Sequence, residues 1–183
     1  MDATSRTLGH RADTMSLCNA TDALVRPISP RDGAALMEFH RQLSDRACFF
    51  RYLAPRPTLR VDEVQHLICV NGVDRAALVV EVNGALIAVG GYDRLCDPRQ
   101  AKVAIVVGEA FQHQYIASEL LCRLAHLARI AGVSQFKAEV RSEDATMLSV
   151  FREAGFALSS TSRSNMVEIT MNIALNPDTT PST

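Results

Sequence analysis

At 183 residues, 48% of them hydrophobic, and with a formal net charge of −1, the chain has enough apolar material for one domain with a substantial core. It shows no electrostatic bias toward nucleic acid. Its cysteines, Cys18, Cys48, Cys69, Cys96 and Cys122, form no CxxC pair and no cysteine–histidine cluster at zinc-ligand spacing, so they read as reduced, mostly buried thiols. No apolar run is long enough to span a membrane, and the polar start MDATSRTLGHRADT lacks a basic-then-apolar leader layout; the expectation is a cytoplasmic protein.

Residues 1–22 and 176–183 are polar and aperiodic and read as flexible ends, leaving residues 23–175 as one folded domain. A strand over 24–28 (LVRPI) leads into a helix over 30–43, with Pro30 in the first turn and Leu36, Phe39 and Leu43 at helical spacing. A second helix lies near 60–70. In RAALVVEVNGALIAVGGY, Asn83-Gly84 between two β-rich runs predicts a tight antiparallel hairpin. Then come a strand over 102–107, a helix over 114–131 stopped by Gly132, and a strand over 136–140. A helix over 143–154 ends at Gly155, and FALSSTS with NMVEITMNI forms a closing strand pair. The order β-α-α-β-β-β-α-β-α-β-β predicts an α/β (α+β) fold with a sheet of mixed direction.

That order, with VRPISPRDGAALMEFHRQLS, AKVAIVVGEAFQHQYIASELL and EDATMLSVFREAGF, resembles the GNAT superfamily of acyl-CoA-dependent N-acyltransferases over residues 24–173. The stretch SDRACFFRYLAPRPTL further resembles the acceptor-side region of bacterial protein lysine acetyltransferases. The resemblance implies a mixed seven-stranded sheet flanked by about four helices. It also implies that strands 102–107 and 136–140 are adjacent and parallel and diverge at their C-terminal ends to admit a pantetheine arm. The ligand so implied is acetyl-CoA or another acyl-CoA, placed against Ile105, Val106 and Val107, the loop residues Gln112, His113, Gln114, Tyr115, Ile116, Ala117 and Ser118, and Asp144.

Set against the family pattern, several of these positions differ. The family loop has Gln or Arg, two variable residues, Gly, a variable residue, then Gly or Ala. Gln112 and Ala117 match, Tyr115 replaces the central glycine, and Gln114 stands where a cation is common. The glycine lets the backbone close on a pyrophosphate through successive N–H groups, whereas a tyrosine resists positive φ and would crowd the phosphates unless its ring turned outward. Where many members carry a Glu general base, this chain has Lys102; where many carry a Tyr acid, it has Phe151. Asp144 replaces an Asn that often precedes that helix. A cation cannot accept the amine's proton and a phenyl ring cannot donate one, so Glu139 and His113 are the remaining candidates for proton transfer.

Each residue also has a plain structural reading. Tyr115 and His113 fit surface positions at a helix start, Lys102 and Glu139 fit exposed strand charges, and Phe151 fits a buried helical stripe with Met147, Leu148 and Ala154. Arg41, Arg46, Arg51, Arg56 and Arg60, interleaved with Phe49, Phe50 and Tyr52, read as a solvated face, since Asp45, Asp62 and Glu63 dilute their charge. Three functions stay open: an acetyltransferase acting on an amine such as a protein lysine with a degraded site and weak or absent acyl-CoA binding; a catalytically silent relative that binds a partner protein or regulates an active paralogue; and a doubly wound nucleotide binder, against which the Asn-Gly hairpin argues. A homodimer is open as the assembly.

Overall fold

The computed structural model describes residues 12–18, 21–52 and 58–174. Eight strands form one mixed sheet in the order β1-β2-β3-β4-β5-β6-β8-β7. They are β1 (Asp13–Ser16), β2 (Asp22–Pro27), β3 (Arg75–Val82), β4 (Ala85–Arg94), β5 (Gln100–Val107), β6 (Gln135–Arg141), β7 (Ala157–Arg163) and β8 (Met166–Asn172). Five α-helices accompany them: α1 (Gly33–Gln42), α2 (Asp45–Tyr52), α3 (Val61–Ile68), α4 (Ile116–Ile130) and α5 (Ala145–Glu153). The expected mixed sheet is present, with β1 and α2 beyond the elements expected.

β1 lies inside the segment read as a loose terminus, and it is held by antiparallel pairing of Asp13–Ser16 with β2, a backbone interaction that leaves no sequence period. α2 has no counterpart among the expected elements. Only Cys48 of its residues is buried, so it carries no apolar stripe; Ser44 starts it, its Oγ accepting the Ala47 N–H at 3.2 Å. The stretch over 30–43 resolves into a 3-10 turn at Pro30–Asp32, capped by Ser29, followed by α1. The cysteines form no disulfide, but only Cys48 is buried; Cys18, Cys69 and Cys96 are exposed, a correction to the expectation of buried thiols.

Strand alternation divides the core in two. The odd residues of β5 (Ala101, Val103, Ile105, Val107) pack with Leu120, Leu121 and Leu124 of α4 and Phe151 of α5, whereas Val106 faces the smaller cluster built from Leu36, Phe39, Val64 and Ile68 of α1 and α3. Asn83 and Gly84 both take positive φ in the hairpin turn between β3 and β4, as a tight two-residue connection requires. Arg26 of β2 donates to both carboxylate oxygens of Asp32, at 2.8 and 2.7 Å, and also to Glu81 of β3, fixing the entry to α1.

The parallel pair β5–β6 positions the site. Its register has three pairs, Gln100↔Gln135, Ala101↔Phe136 and Lys102↔Lys137, after which the strands separate. β5 stays paired with β4 through Val107, and β6 stays paired with β8 through Arg141. The adjacency, parallel direction and divergence expected for 102–107 and 136–140 are therefore present. Phe136, fully buried, closes the joined end, its ring centroid 5.7 Å from that of Tyr92. Phe136→Ala should cost about 3–5 kcal/mol of unfolding free energy through lost burial and a residual cavity. Urea denaturation checks this, and a cost under about 1 kcal/mol would mean that the joined end is not a packed wedge.

Candidate functional site

Where β5 and β6 part, a cleft of about 850 Å³ opens. Ala104–Val107 of β5 form one wall, Val140 and the start of α5 the other, and Ala47, Phe50 and Arg51 of α2 flank it. Its far end is the turn from β5 into α4: a 3-10 turn at Glu109–Phe111, then Gln112, His113, Gln114 and Tyr115. Beyond the third pair, β5 has no ladder partner on its β6 side, so backbone groups along this wall face the cleft rather than a strand.

The loop adopts the geometry that its sequence seemed to forbid. Tyr115 sits at φ 60° and ψ 7°, in the left-handed region, and its side chain is 74% exposed. His113 is also left-handed, at φ 62°. Tyrosine therefore does not prevent the positive φ expected to be resisted here: the backbone takes the turn, and the residue is largely exposed while still lining the cleft. Gln112 Nε2 donates to Val107 O at 3.4 Å, tying the loop back to β5. No side chain caps α4, so the first N–H groups of a fifteen-residue helix are left to a ligand or solvent at the cleft. Uncapped helix start, partner-free strand edge and volume together fit an elongated molecule with an anionic end and an amide-bearing arm.

Of the residues singled out from sequence, Ile105, Val106, Val107, Gln112, His113, Tyr115, Ile116, Ala117, Ser118, Asp144 and Phe151 line the cleft. Gln114 does not line it; its Oε1 is buried without a hydrogen-bond partner. Phe151 is 2% exposed and belongs to the core, the plain reading of that residue. Asp144 caps α5 by accepting the Met147 N–H at 3.1 Å; burial pushes its carboxyl above the ordinary range, opposed by that bond and by Arg46.

Lys102 and Glu139 do not line the cleft; they lie near the point where β5 and β6 part and meet each other: Nζ lies 2.6 Å from Oε2, with both side chains 48% exposed. Neither is a free charge, so Lys102 is masked as a cation and Glu139 is occupied as a base. His113 is exposed at the opposite end, on the loop beside α4, away from this pair.

Two features escaped sequence reading. Glu109 accepts from both the N–H and the Oγ of Ser44, fastening the cleft loop to the start of α2. Arg141 lies 4.4 Å from the ring centroid of Phe49, Arg46 5.1 Å from that of Phe50 and Arg51 5.0 Å from that of Tyr52, so all three aromatics interleaved with the arginines are cation–π partners on α2. Only α2's helical geometry, invisible in its composition, brings these pairs together. Cys48 offers no nucleophile: burial pushes its thiol up, and the carboxylates of Asp45 and Glu109 add to that.

Holding Tyr115 left-handed costs about 1–2 kcal/mol. Tyr115→Gly should therefore raise stability by up to about 1 kcal/mol net of glycine's greater unfolded entropy, and Tyr115→Val should lower it. Denaturant titration of both variants checks the strained turn, and equal stabilities would contradict it.

The model of the acetyltransferase (GNAT) family matches residues 39–156. Among solved structures, the GNAT domain of S. lividans PAT superimposes with a TM-score of 0.83 at 29% identity, covering 94% of this chain and 99% of that one. The Salmonella typhimurium yncA structure, solved with its cofactor acetyl-CoA, gives a TM-score of 0.62 at 20% identity, over 87% of this chain and 96% of that one. Spermidine N-acetyltransferase from Vibrio cholerae, in complex with CoA and spermine, gives 0.63 at 16%, over 81% and 94%; these last two share the fold. With a family model spanning most of the domain, and a sheet that opens between β5 and β6 onto the start of α4, this chain belongs to the acetyltransferase (GNAT) family.

Proposed function

We propose that the protein binds acetyl-CoA in the β5–β6 cleft and transfers the acetyl group slowly to an amine, with a protein lysine as the acceptor class. The separation of β5 from β6 after three pairs carries this reading, because it leaves an elongated cleft between an uncapped helix start and a strand edge with free backbone groups. The N–H groups of Ile116, Ala117 and Ser118, at the positive end of α4, would hold the pyrophosphate. Ala104–Val107 would take the pantetheine arm as an added strand, and the thioester would then lie toward the closed end at Lys102 and Lys137.

Transfer in this arrangement rests on positioning. Glu139 is the carboxylate nearest the closed end's amine chemistry, and Lys102 occupies it. Phe151 supplies no proton to the departing sulfur, which must draw one from solvent. Each missing proton-transfer partner removes about a hundredfold in rate. The same two observations support the second reading, a relative that binds acyl-CoA without turning it over and acts through a partner protein.

One substitution separates the two. Lys102→Gln removes the cation and leaves Glu139 free, and turnover of a lysine peptide, followed as thiol release at saturating acetyl-CoA, should rise at least about tenfold. If acetyl-CoA binds by calorimetry but neither protein releases thiol, the silent reading stands; if acetyl-CoA does not bind, both fail.

A further inference from the structure

The chain contains two lysines, Lys102 and Lys137, and every other guanidinium or ammonium side chain in its 183 residues is arginine. Both lysines fall on one spot of the fold: they are direct cross-strand partners, Lys102↔Lys137, in the last pair before β5 and β6 separate. Partner residues on adjacent strands project to the same face about 4.8 Å apart. Lys102 shares its face of β5 with Ala104, a wall residue of the cleft, whose Cα is about 6.6 Å further along the strand. A lysine side chain spans a comparable length, so the ammonium at 102, held by Glu139 outside the cleft lining in this structure, is within a side chain's reach of the closed end.

We propose that Lys102 is itself an acetyl acceptor: with acetyl-CoA in the cleft, the protein acetylates its own Lys102, with Glu139 as the proton acceptor. The inference rests on the acetyl-CoA binding proposed above. An elongated donor whose anionic end sits at the start of α4 directs its other end toward the closed end of the wedge, where Lys102 stands. Glu139 already holds Nζ at 2.6 Å, whereas Lys137 faces Thr170 of β8 in the register.

The Glu139 carboxylate takes one proton from the Lys102 ammonium, and the freed electron pair on Nζ forms an N–C bond to the thioester carbonyl carbon. The C–S bond breaks, and the sulfur leaves with its electron pair and is protonated from solvent. A second proton passes from nitrogen to solvent as the amide forms. The product carries no charge at 102 and releases Glu139, which then stands opposite Glu168 without a cation on it. Acetyl-Lys102 thereby reaches chemically the state that Lys102→Gln reaches by substitution. With its two lysines, Lys102 and Lys137, confined to this spot, the chain presents no ε-amine elsewhere to its own chemistry.

The purified full-length protein is incubated with acetyl-CoA and no added amine, and intact mass and peptide mapping follow acetylation of wild type, Lys102→Arg, Lys137→Arg and Glu139→Gln. Wild type and Lys137→Arg should gain one acetyl group, mapped in wild type to residue 102, at a rate independent of protein concentration. Lys102→Arg, which keeps the charge, should gain none on an ε-amine, and Glu139→Gln should react about a hundredfold more slowly. Acetyl-CoA binding is measured in parallel by calorimetry. Binding without modification of Lys102, modification mapped to Lys137, or an unchanged rate in Glu139→Gln overturns the inference while leaving the binding reading intact; failure to bind acetyl-CoA removes both.

Discussion

A sheet whose two central parallel strands stay together for only three residue pairs is the constraint on which the rest of the molecule depends. Separating strands is costly, because each unpaired backbone N–H or C=O must find another partner or water. Here the closed end is reinforced: the N–H groups of Ser134 and Gln135 both donate to Arg99 O, at 2.8 and 3.0 Å, and the Gln100 side chain donates to that of Gln135 at 3.2 Å. Ala101 and Phe136, side by side in the register, are completely buried. Beyond that anchor, each strand keeps one neighbour, β4 or β8, and the gap is propped by elements of both faces. α2 stands on the side of α1 and α3, braced by Arg141 on Phe49, and α5 fills the other side through Leu148 and Phe151.

The fold was legible where local chemistry decides it. Asn83-Gly84 set the β3–β4 hairpin, Gly132 and Gly155 ended their helices at positive φ, and Asp144 capped α5. What stayed hidden was held by tertiary contact: β1 is four half-exposed residues paired through backbone, and α2 is stabilised by Ser44, Glu109 and three cation–π contacts rather than by a stripe of its own. At the site, the sequence named the loop and the departures at 102, 115 and 151. It could not show that the backbone of Tyr115 turns left-handed with the residue largely exposed, because that depends on whether the surrounding turn compels the strain. Nor could it show that Lys102 and Glu139, thirty-seven residues apart, neutralise each other.

That pairing changes what the departures mean. A lone cation at the base position would repel an ammonium acceptor, and a lone carboxylate two residues along β6 would substitute for the missing base. Held together at 2.6 Å, neither charge faces an external amine unpaired, and in the proposed reading proton transfer there is conditional on the charge state of one side chain. In the proposed reading, the start of α4 would hold a pyrophosphate on a turn strained at Tyr115, while the carboxylate near the closed end is engaged by Lys102.

The most direct measurement is a crystal structure of the protein soaked or co-crystallised with a non-hydrolysable acetyl-CoA analogue. The account requires the pyrophosphate on the N–H groups at the start of α4, the pantetheine arm along the free edge of β5 between Ala104 and Val107, and the acyl end beside the Lys102–Lys137 pair. An analogue bound with its acyl end toward Tyr115, or outside the β5–β6 opening altogether, would contradict it.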